Sequence, residues 1–272
     1  MKLRTRSSRL ARVGAAVAVL TWAGWAQAGV PIADDPVRHW RVSSGVNFTS
    51  GDYGLDDDTD ILYVPITVRY DHEPFILKLT VPYIRIEGPG GVVAGTDGSV
   101  IVDEESVGTE TNAGLGDVVL SGSYVHYPDG GSSWPILELT GKVKFPTADE
   151  DQFLGTGKFD YTLQADVSKN IGRFLAFTTL GYRFLGDPSG SKLNDVFFAS
   201  LGGGVRVVKD VQVGLVYDYG EASSSSSSDS HEFVPYFSWK LADRYRLSGY
   251  AVAGVSRGAA DWGSGVSLGL DF

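Results

Sequence analysis

The 272-residue chain has no cysteine, and its only methionine is the first residue. Without thiols there are no disulfide staples, no thiolate-bound zinc or iron–sulfur cluster and no cysteine nucleophile. Positive charge is also in short supply, with 23 Lys+Arg against 33 Asp+Glu and a net charge of −10. Such a chain has no general affinity for nucleic acid or for an anionic lipid surface, because both reward clustered cations. Beyond residue 28 no stretch approaches the roughly 20 apolar residues of a membrane helix. Helical periodicity is equally weak.

The first 28 residues differ in composition from the rest. Lys2, Arg4, Arg6, Arg9 and Arg12 precede an apolar run from Val13 to Trp25, which ends in Ala26-Gln27-Ala28. A basic start, a short apolar segment and an A-x-A end read as a secretory signal cleaved after Ala28. Its removal takes the 23 basic residues to 18 against 33 acids, so the net charge moves from −10 to −15.

The mature chain alternates apolar and polar residues at every second position. Leu137, Leu139, Gly141, Val143 and Phe145 interleave with Glu138, Thr140, Lys142 and Lys144. Phe159, Tyr161, Leu163, Ala165 and Val167 interleave with Lys158, Asp160, Thr162, Gln164, Asp166 and Ser168. Period two is the signature of a strand with two unlike faces. About twelve such segments are expected, at 39–48, 60–70, 75–86, 116–127, 134–145, 157–169, 174–184, 195–207, 211–219, 231–241, 245–255 and 261–272. Their length, near ten residues, suits a tilted strand crossing a bilayer, whereas strands of soluble proteins average about five or six.

The connections sort by length. Gaps at 71–74, 128–133, 170–173, 209–210 and 242–244 are short. Those between them, at 49–59, 88–115, 146–156, 186–194, 220–230 and 256–260, are mostly longer. Antiparallel neighbours then put short turns at one rim and long loops at the other. Aromatic residues crowd the segment ends: Trp40, Phe75, Tyr83, Phe145, Phe159, Phe174, Tyr182, Tyr219, Phe233, Trp239, Tyr245, Trp262 and Phe272. Rings of this kind anchor a barrel at the two lipid interfaces. The expected fold is an all-β transmembrane antiparallel up-and-down barrel of about twelve strands. A soluble β-sandwich, with shorter strands and unsorted loops, is the competing architecture. The chain divides into a signal peptide at 1–28, a short periplasmic segment at 29–38 and an outer-membrane barrel at 39–272.

The last strand ends Leu268, Leu270, Phe272 and resembles the terminal-aromatic signal that the barrel-assembly machinery recognises in bacterial outer-membrane barrels. Val81-Pro82-Tyr83-Ile84-Arg85, Gly114-Leu115-Gly116-Asp117-Val118 and Gly141-Lys142-Val143-Lys144-Phe145-Pro146-Thr147 resemble a family of outer-membrane transporters named after the meta-cleavage pathway of phenol degradation. That resemblance covers most of the chain from about residue 40. It implies a barrel in the cell outer membrane that passes small organic molecules, and it brings no catalytic residues.

Candidate chemistry is sparse. His39, His72, His126 and His231 form no H-x-x-x-H or H-E-x-x-H arrangement, so no metal site is signalled. No local motif of an outer-membrane phospholipase surrounds them, and neither enzyme activity nor a cofactor is expected. Asp56-Asp57-Asp58-Thr59-Asp60 reads as a solvated acidic tip, and it lacks the spacing of a calcium loop. Gly202-Gly203-Gly204 lies within a strand and suits curvature or close packing. Ser223 to Ser228 reads as a surface loop.

The inner face carries the functional candidates. Lys78, Glu138, Lys142, Lys144, Lys158, Asp160, Asp166 and Arg183 are expected to line the lumen, with Arg41, Gln164, Arg206, Asp218, Glu232, Lys240, Arg246 and Asp271. Local positive potential near Lys142, Lys144 and Lys158 would favour anionic or polar solutes, and the 88–115 loop is expected to fold inward. About twelve strands leave a narrow lumen. The expected function is a passive transporter or narrow channel for small molecules, aromatic or anionic. The expected partners are outer-membrane lipid, the assembly machinery and a small solute. The alternative is a closed structural or surface-interaction barrel, and a surface lipid hydrolase stands behind both.

Overall fold

Period-two alternation is realised as one closed antiparallel sheet. The computed structural model describes residues 39–53, 57–89, 92–94, 100–102, 109–128, 133–188, 192–224 and 227–272; the signal region 1–28 and the segment 29–38 lie outside them. In chain order the first strands are β1 (Trp40–Gly51), β2 (Thr59–His72), β3 (Phe75–Pro89), β4 (Val92–Ala94), β5 (Val100–Val102), β6 (Thr109–Leu115) and β7 (Val118–His126). Then come β8 (Ile136–Phe145), β9 (Asp160–Ile171), β10 (Phe174–Phe184) and β11 (Val196–Val208). The last four are β12 (Val211–Gly220), β13 (Ser230–Ala242), β14 (Tyr245–Gly254) and β15 (Trp262–Asp271).

Each long strand pairs with its chain neighbours, and β1 pairs with both β2 and β15, which closes the barrel. Closure leaves no free edge between first and last strands, the usual weakness of a sheet. The wall has twelve positions, because β6 and β7 share one: β3 pairs with β6 through Tyr83–Pro89 and with β7 through Phe75–Thr80. β4 and β5 form a separate small hairpin between β3 and β6.

Leu77, Leu79, Leu139, Leu163, Leu180, Leu215 and Leu268 are exposed on the outer face, and the residues between them are buried. That is the reverse of a soluble sheet sandwich, and it is what a lipid-facing wall requires. Exposed rings flank the belt. Trp40, Phe75, Phe174, Trp239 and Tyr245 lie toward the rim of short turns, and Phe159, Tyr182, Phe233 and Trp262 toward the rim of long loops. Among the short turns, Gly172 takes φ 62° between β9 and β10, a left-handed conformation that costs a residue with a Cβ.

Two expectations need correction. The segment expected at 116–127 is the lower part of a broken strand that resumes above the break as β6, and much of the expected 88–115 loop is strand or hairpin. The rest of that loop, with its expected inward course, lies outside the described residues. Loop 146–157 enters the mouth of the barrel. Its Leu154 is 1% exposed and packs with Tyr53, Ile61, Tyr63, Ile84, Ile86 and Ala260.

Candidate functional site

The break in the fourth wall position is built by residues from three separate sequence motifs. Pro65 and Pro82 face each other across β2 and β3, so neither donates a ladder hydrogen bond there. The Gly116 amide donates to the Pro82 carbonyl (2.9 Å), and a Cβ on Gly116 would fall 2.4 Å from Ile84. Asp117 then leaves the ladder. Its Oδ1 accepts the amides of Thr147 (3.0 Å) and Ala148 (2.9 Å), while Thr147 Oγ1 donates to the Gly116 carbonyl and accepts the Val118 amide.

Lys144 Nζ sits between Asp117 Oδ2 (3.1 Å) and Asp160 Oδ2 (2.8 Å) and donates to Thr156 Oγ1 (2.9 Å). This joint ties both ends of the 146–157 loop to the wall and points Leu154 into the mouth. Buried groups matched this well hold a loop in one arrangement; left unmatched, each would cost free energy. Asp117 and Thr147 were absent from the inner-face candidates. Their signal was present in the motifs Gly-Leu-Gly-Asp-Val and Phe-Pro-Thr, without any spacing that declared their contact.

The remaining candidates are placed as follows. Lys78, Glu138, Asp160 and Asp166 are buried on the inner face, and Lys142 and Arg183 lie there partly buried. Lys158 is half-buried at the long-loop rim, against Gly186. Lys142 Nζ donates to Gln164 Oε1 (2.7 Å), and Gln164 Nε2 donates to Asp166 (2.8 and 2.9 Å). Asp166 also accepts Thr179 Oγ1 (2.6 Å). Arg69, outside the candidate set, grips Asp71 with Nε at 2.9 Å and its terminal nitrogen at 2.6 Å. Arg183 lies 5.8 Å from the Phe198 ring centre, and Arg41 pairs with Asp271. Because Lys144 is matched by two carboxylates, it adds no net positive potential, and the expected cationic cluster does not include it as a free charge.

The opposite side of the lumen carries an apolar cluster, bordered by polar groups such as Asp218 and Glu232. Leu175, Phe177, Val216, Val234, Tyr236, Tyr250 and Val252 form one cluster on β10, β12, β13 and β14. Its rings lie flat over glycines of the neighbouring strands. A Cβ on Gly202 would fall 2.2 Å from Phe177, and one on Gly214 2.5 Å from Tyr236. These rings pack against the inner wall over the glycines and are themselves almost wholly buried. Close packing is therefore the role of Gly202.

His231 Nδ1 is hydrogen bonded to the Tyr217 hydroxyl (2.6 Å), and His39 Nδ1 to the Asp71 carbonyl (3.1 Å). Among the described residues no group of three or more His, Cys, Asp or Glu is placed to hold a metal ion, and Asp56 of the acidic tip lies outside them.

The fold matches solved barrels. An outer membrane channel from Pseudomonas putida F1 superposes with a TM-score of 0.64 at 15% identity, over 87% of this chain and 96% of that one. The KdgM porin, solved in complex with disordered oligogalacturonate, gives 0.50 at 10% identity, over 85% of this chain and 99% of that one. No curated protein matches in sequence. Residues 59–272 match the family model described as "Putative MetA-pathway of phenol degradation". That match takes in every strand from β2 to β15, including all three motifs that meet at the wall joint, and the chain is a member of this family with the fold of an outer-membrane channel.

Proposed function

We propose that the protein is a passive channel of the outer membrane for small molecules, above all those that join a polar or anionic group to an aromatic ring. The observation that carries this reading is the two-sided inner wall: Lys78, Lys142 and Gln164 on one side, Phe177, Tyr236 and Tyr250 on the other. A solute with one charged end and one apolar face meets both. The family description, which refers to phenol degradation, and the channel from Pseudomonas putida F1 support the same reading.

In this reading, residues 1–28 direct export and are cleaved, and the exposed leucines meet lipid. The short-turn rim, with both ends of the barrel, faces the periplasm. Phe272 is the handle for the assembly machinery. The barrel holds no energy source, so a solute moves down its gradient. No catalytic constellation enters the reading.

The apolar seal of Tyr53, Leu154 and Ala260 across the long-loop mouth favours a second reading, a closed barrel that serves structure or surface contact. Planar-bilayer recordings and solute uptake by proteoliposomes separate the two. Discrete conductance and uptake of small aromatic solutes are expected. A purified, folded barrel that passes neither ions nor solutes would establish the closed reading instead.

A further inference from the structure

Strand register arranges the inner charges in rows. Arg41 pairs with Arg69, Arg69 with Lys78, Lys78 with Ser121, Ser121 with Lys142, Lys142 with Thr162 and Thr162 with Arg183. Five cations therefore share one row, interrupted only by two hydroxyl residues. Strands tilt in a barrel, so a row perpendicular to them climbs as it goes round. This one starts beside the short-turn rim at Arg41 and ends beside the long-loop rim at Arg183.

A second row runs parallel to it: Glu138, Asp166, Thr179, Ser200, Asp218 and Glu232. On β8 the two rows are represented by Lys142 and Glu138, four residues and about 13 Å of strand apart. The neutral residues Ser123, Thr140 and Gln164 fill the row between. This offset keeps the two signs from cancelling pair by pair.

Within the cationic row the charges are unequally matched. Arg41 is held by Asp271 and Arg69 by Asp71. Lys142 has Gln164, a neutral partner. Lys78 is 9% exposed, and no hydrogen bond or ion pair ties its ammonium to any described residue. Lys78 and Lys142 stand on β3 and β8, on either side of Ser121 on β7, so their backbones are about 10 Å apart. Two lysine side chains can close that distance on a single small anion. Glu138 and Asp166 act on both lysines through space, but neither forms an ion pair with them. In a low-dielectric wall an ammonium without a direct carboxylate partner is costly, and a bound anion relieves that cost.

Across the lumen, β12, β13 and β14 stand six wall positions from β3, β7 and β8, which is directly opposite in a twelve-position barrel. They carry Val216, Val234, Tyr236, Tyr250 and Val252, with Asp218 and Glu232 nearer the long-loop rim. Lys142 and Tyr236 both lie near mid-strand.

We infer that Lys78, Ser121 and Lys142 form a binding step for a small aromatic carboxylate, with the ammonium groups on the carboxylate, the Ser121 hydroxyl donating to it and the ring turned toward Tyr236 and Tyr250. The inference deepens the channel reading by naming where within the lumen the solute pauses. Arg41 and Arg69, each held by an aspartate, carry the row to the short-turn rim, and Arg183 carries it to the long-loop rim.

The test is equilibrium binding to the purified barrel in detergent, by calorimetry, with benzoate, acetate, benzyl alcohol and benzylammonium as probes. Benzoate should bind best, acetate and benzyl alcohol more weakly, and benzylammonium least. The Lys78→Gln/Lys142→Gln double variant should bind benzoate at least about tenfold more weakly, and Lys78→Arg/Lys142→Arg should retain it. A heat-modifiable gel shift reports folding of each variant. Should the double Gln variant fail to fold, the two single Gln variants carry the same comparison.

Equal benzoate binding by wild type and folded Gln variants would overturn the binding step, as would benzylammonium binding as tight as benzoate. Because this measurement needs no flow, it separates the two claims. A barrel that binds benzoate through these lysines but conducts nothing loses the channel reading and keeps the step. One that conducts without binding benzoate loses the step alone.

Discussion

Lys144 and Asp117 meet at 3.1 Å where β6 gives way to β7, and the same ammonium reaches Asp160 at 2.8 Å on the next strand. One lysine thus fastens the broken fourth wall position to β9 and holds the loop that leaves β8. Replacing Asp117 with Asn keeps the shape but removes the charge, and Lys144 retains one carboxylate. The expected loss of stability is about 1–3 kcal/mol, the range for disturbing buried hydrogen bonds to a charged group. The gel shift of the heated protein should move to lower temperature, and protease should cut within 149–157 sooner than in wild type.

Charge reversal should separate two lysines that alternate on the same strand. Lys142→Glu places an acid on the cationic row and should shift the reversal potential in a salt gradient toward cation preference. The Lys144→Gln/Asp117→Asn double variant, which removes one charge of each sign from a bonded pair, should leave that potential nearly unchanged while lowering the melting temperature. Equal shifts in reversal potential from both variants would contradict the division of roles.

Much of the architecture is legible in the sequence for a simple physical reason. A strand with lipid on one side and a wet lumen on the other must alternate, and Leu137 to Phe145 does so without a fault. The wall joint is not legible in that way. Asp117 and Thr147 are 30 residues apart, and nothing in their spacing tells that the Asp117 carboxylate will accept the Thr147 amide. Charge matching is legible in part. Asp160 stands across from Lys144, as alternation on neighbouring strands suggests, but only the broken strand adds Asp117 to the same ammonium, and Lys142 meets the neutral Gln164 instead.

Leu154 should act as a stopper. Leu154→Ala empties the centre of the apolar cluster at the mouth, a change that costs about 2–5 kcal/mol at a fully buried site. Here part of that cost falls on the loop alone, so the barrel should stay folded while single-channel conductance rises. An unchanged conductance would mean that the mouth is sealed elsewhere.

Gly202→Leu tests the flat rings. A side chain at 202 needs the place of the Phe177 ring, whose nearest atom would lie 2.2 Å from the new Cβ. Pushed off the wall, the ring enters the lumen. Conductance should fall while membrane insertion persists, and Gly202→Ala should show the same effect to a smaller degree.

Deleting Phe272 removes the amide that donates to the Trp40 carbonyl at 2.9 Å, together with the terminal ring. The amount of folded barrel recovered from the outer membrane of expressing cells should drop, while total synthesis stays constant.

Arg41 and Asp271 are 230 residues apart in the chain, yet they clasp across the seam where the first strand meets the last. The first strand cannot find its second neighbour until the final strand has been made. Any copy cut short before β15 is therefore an open sheet with two unpaired borders, prone to stick to others of its kind. A seam formed so late makes folding slow and dependent on the finished chain, so quality control is inherent in the topology: only a full-length molecule can hide its own edges.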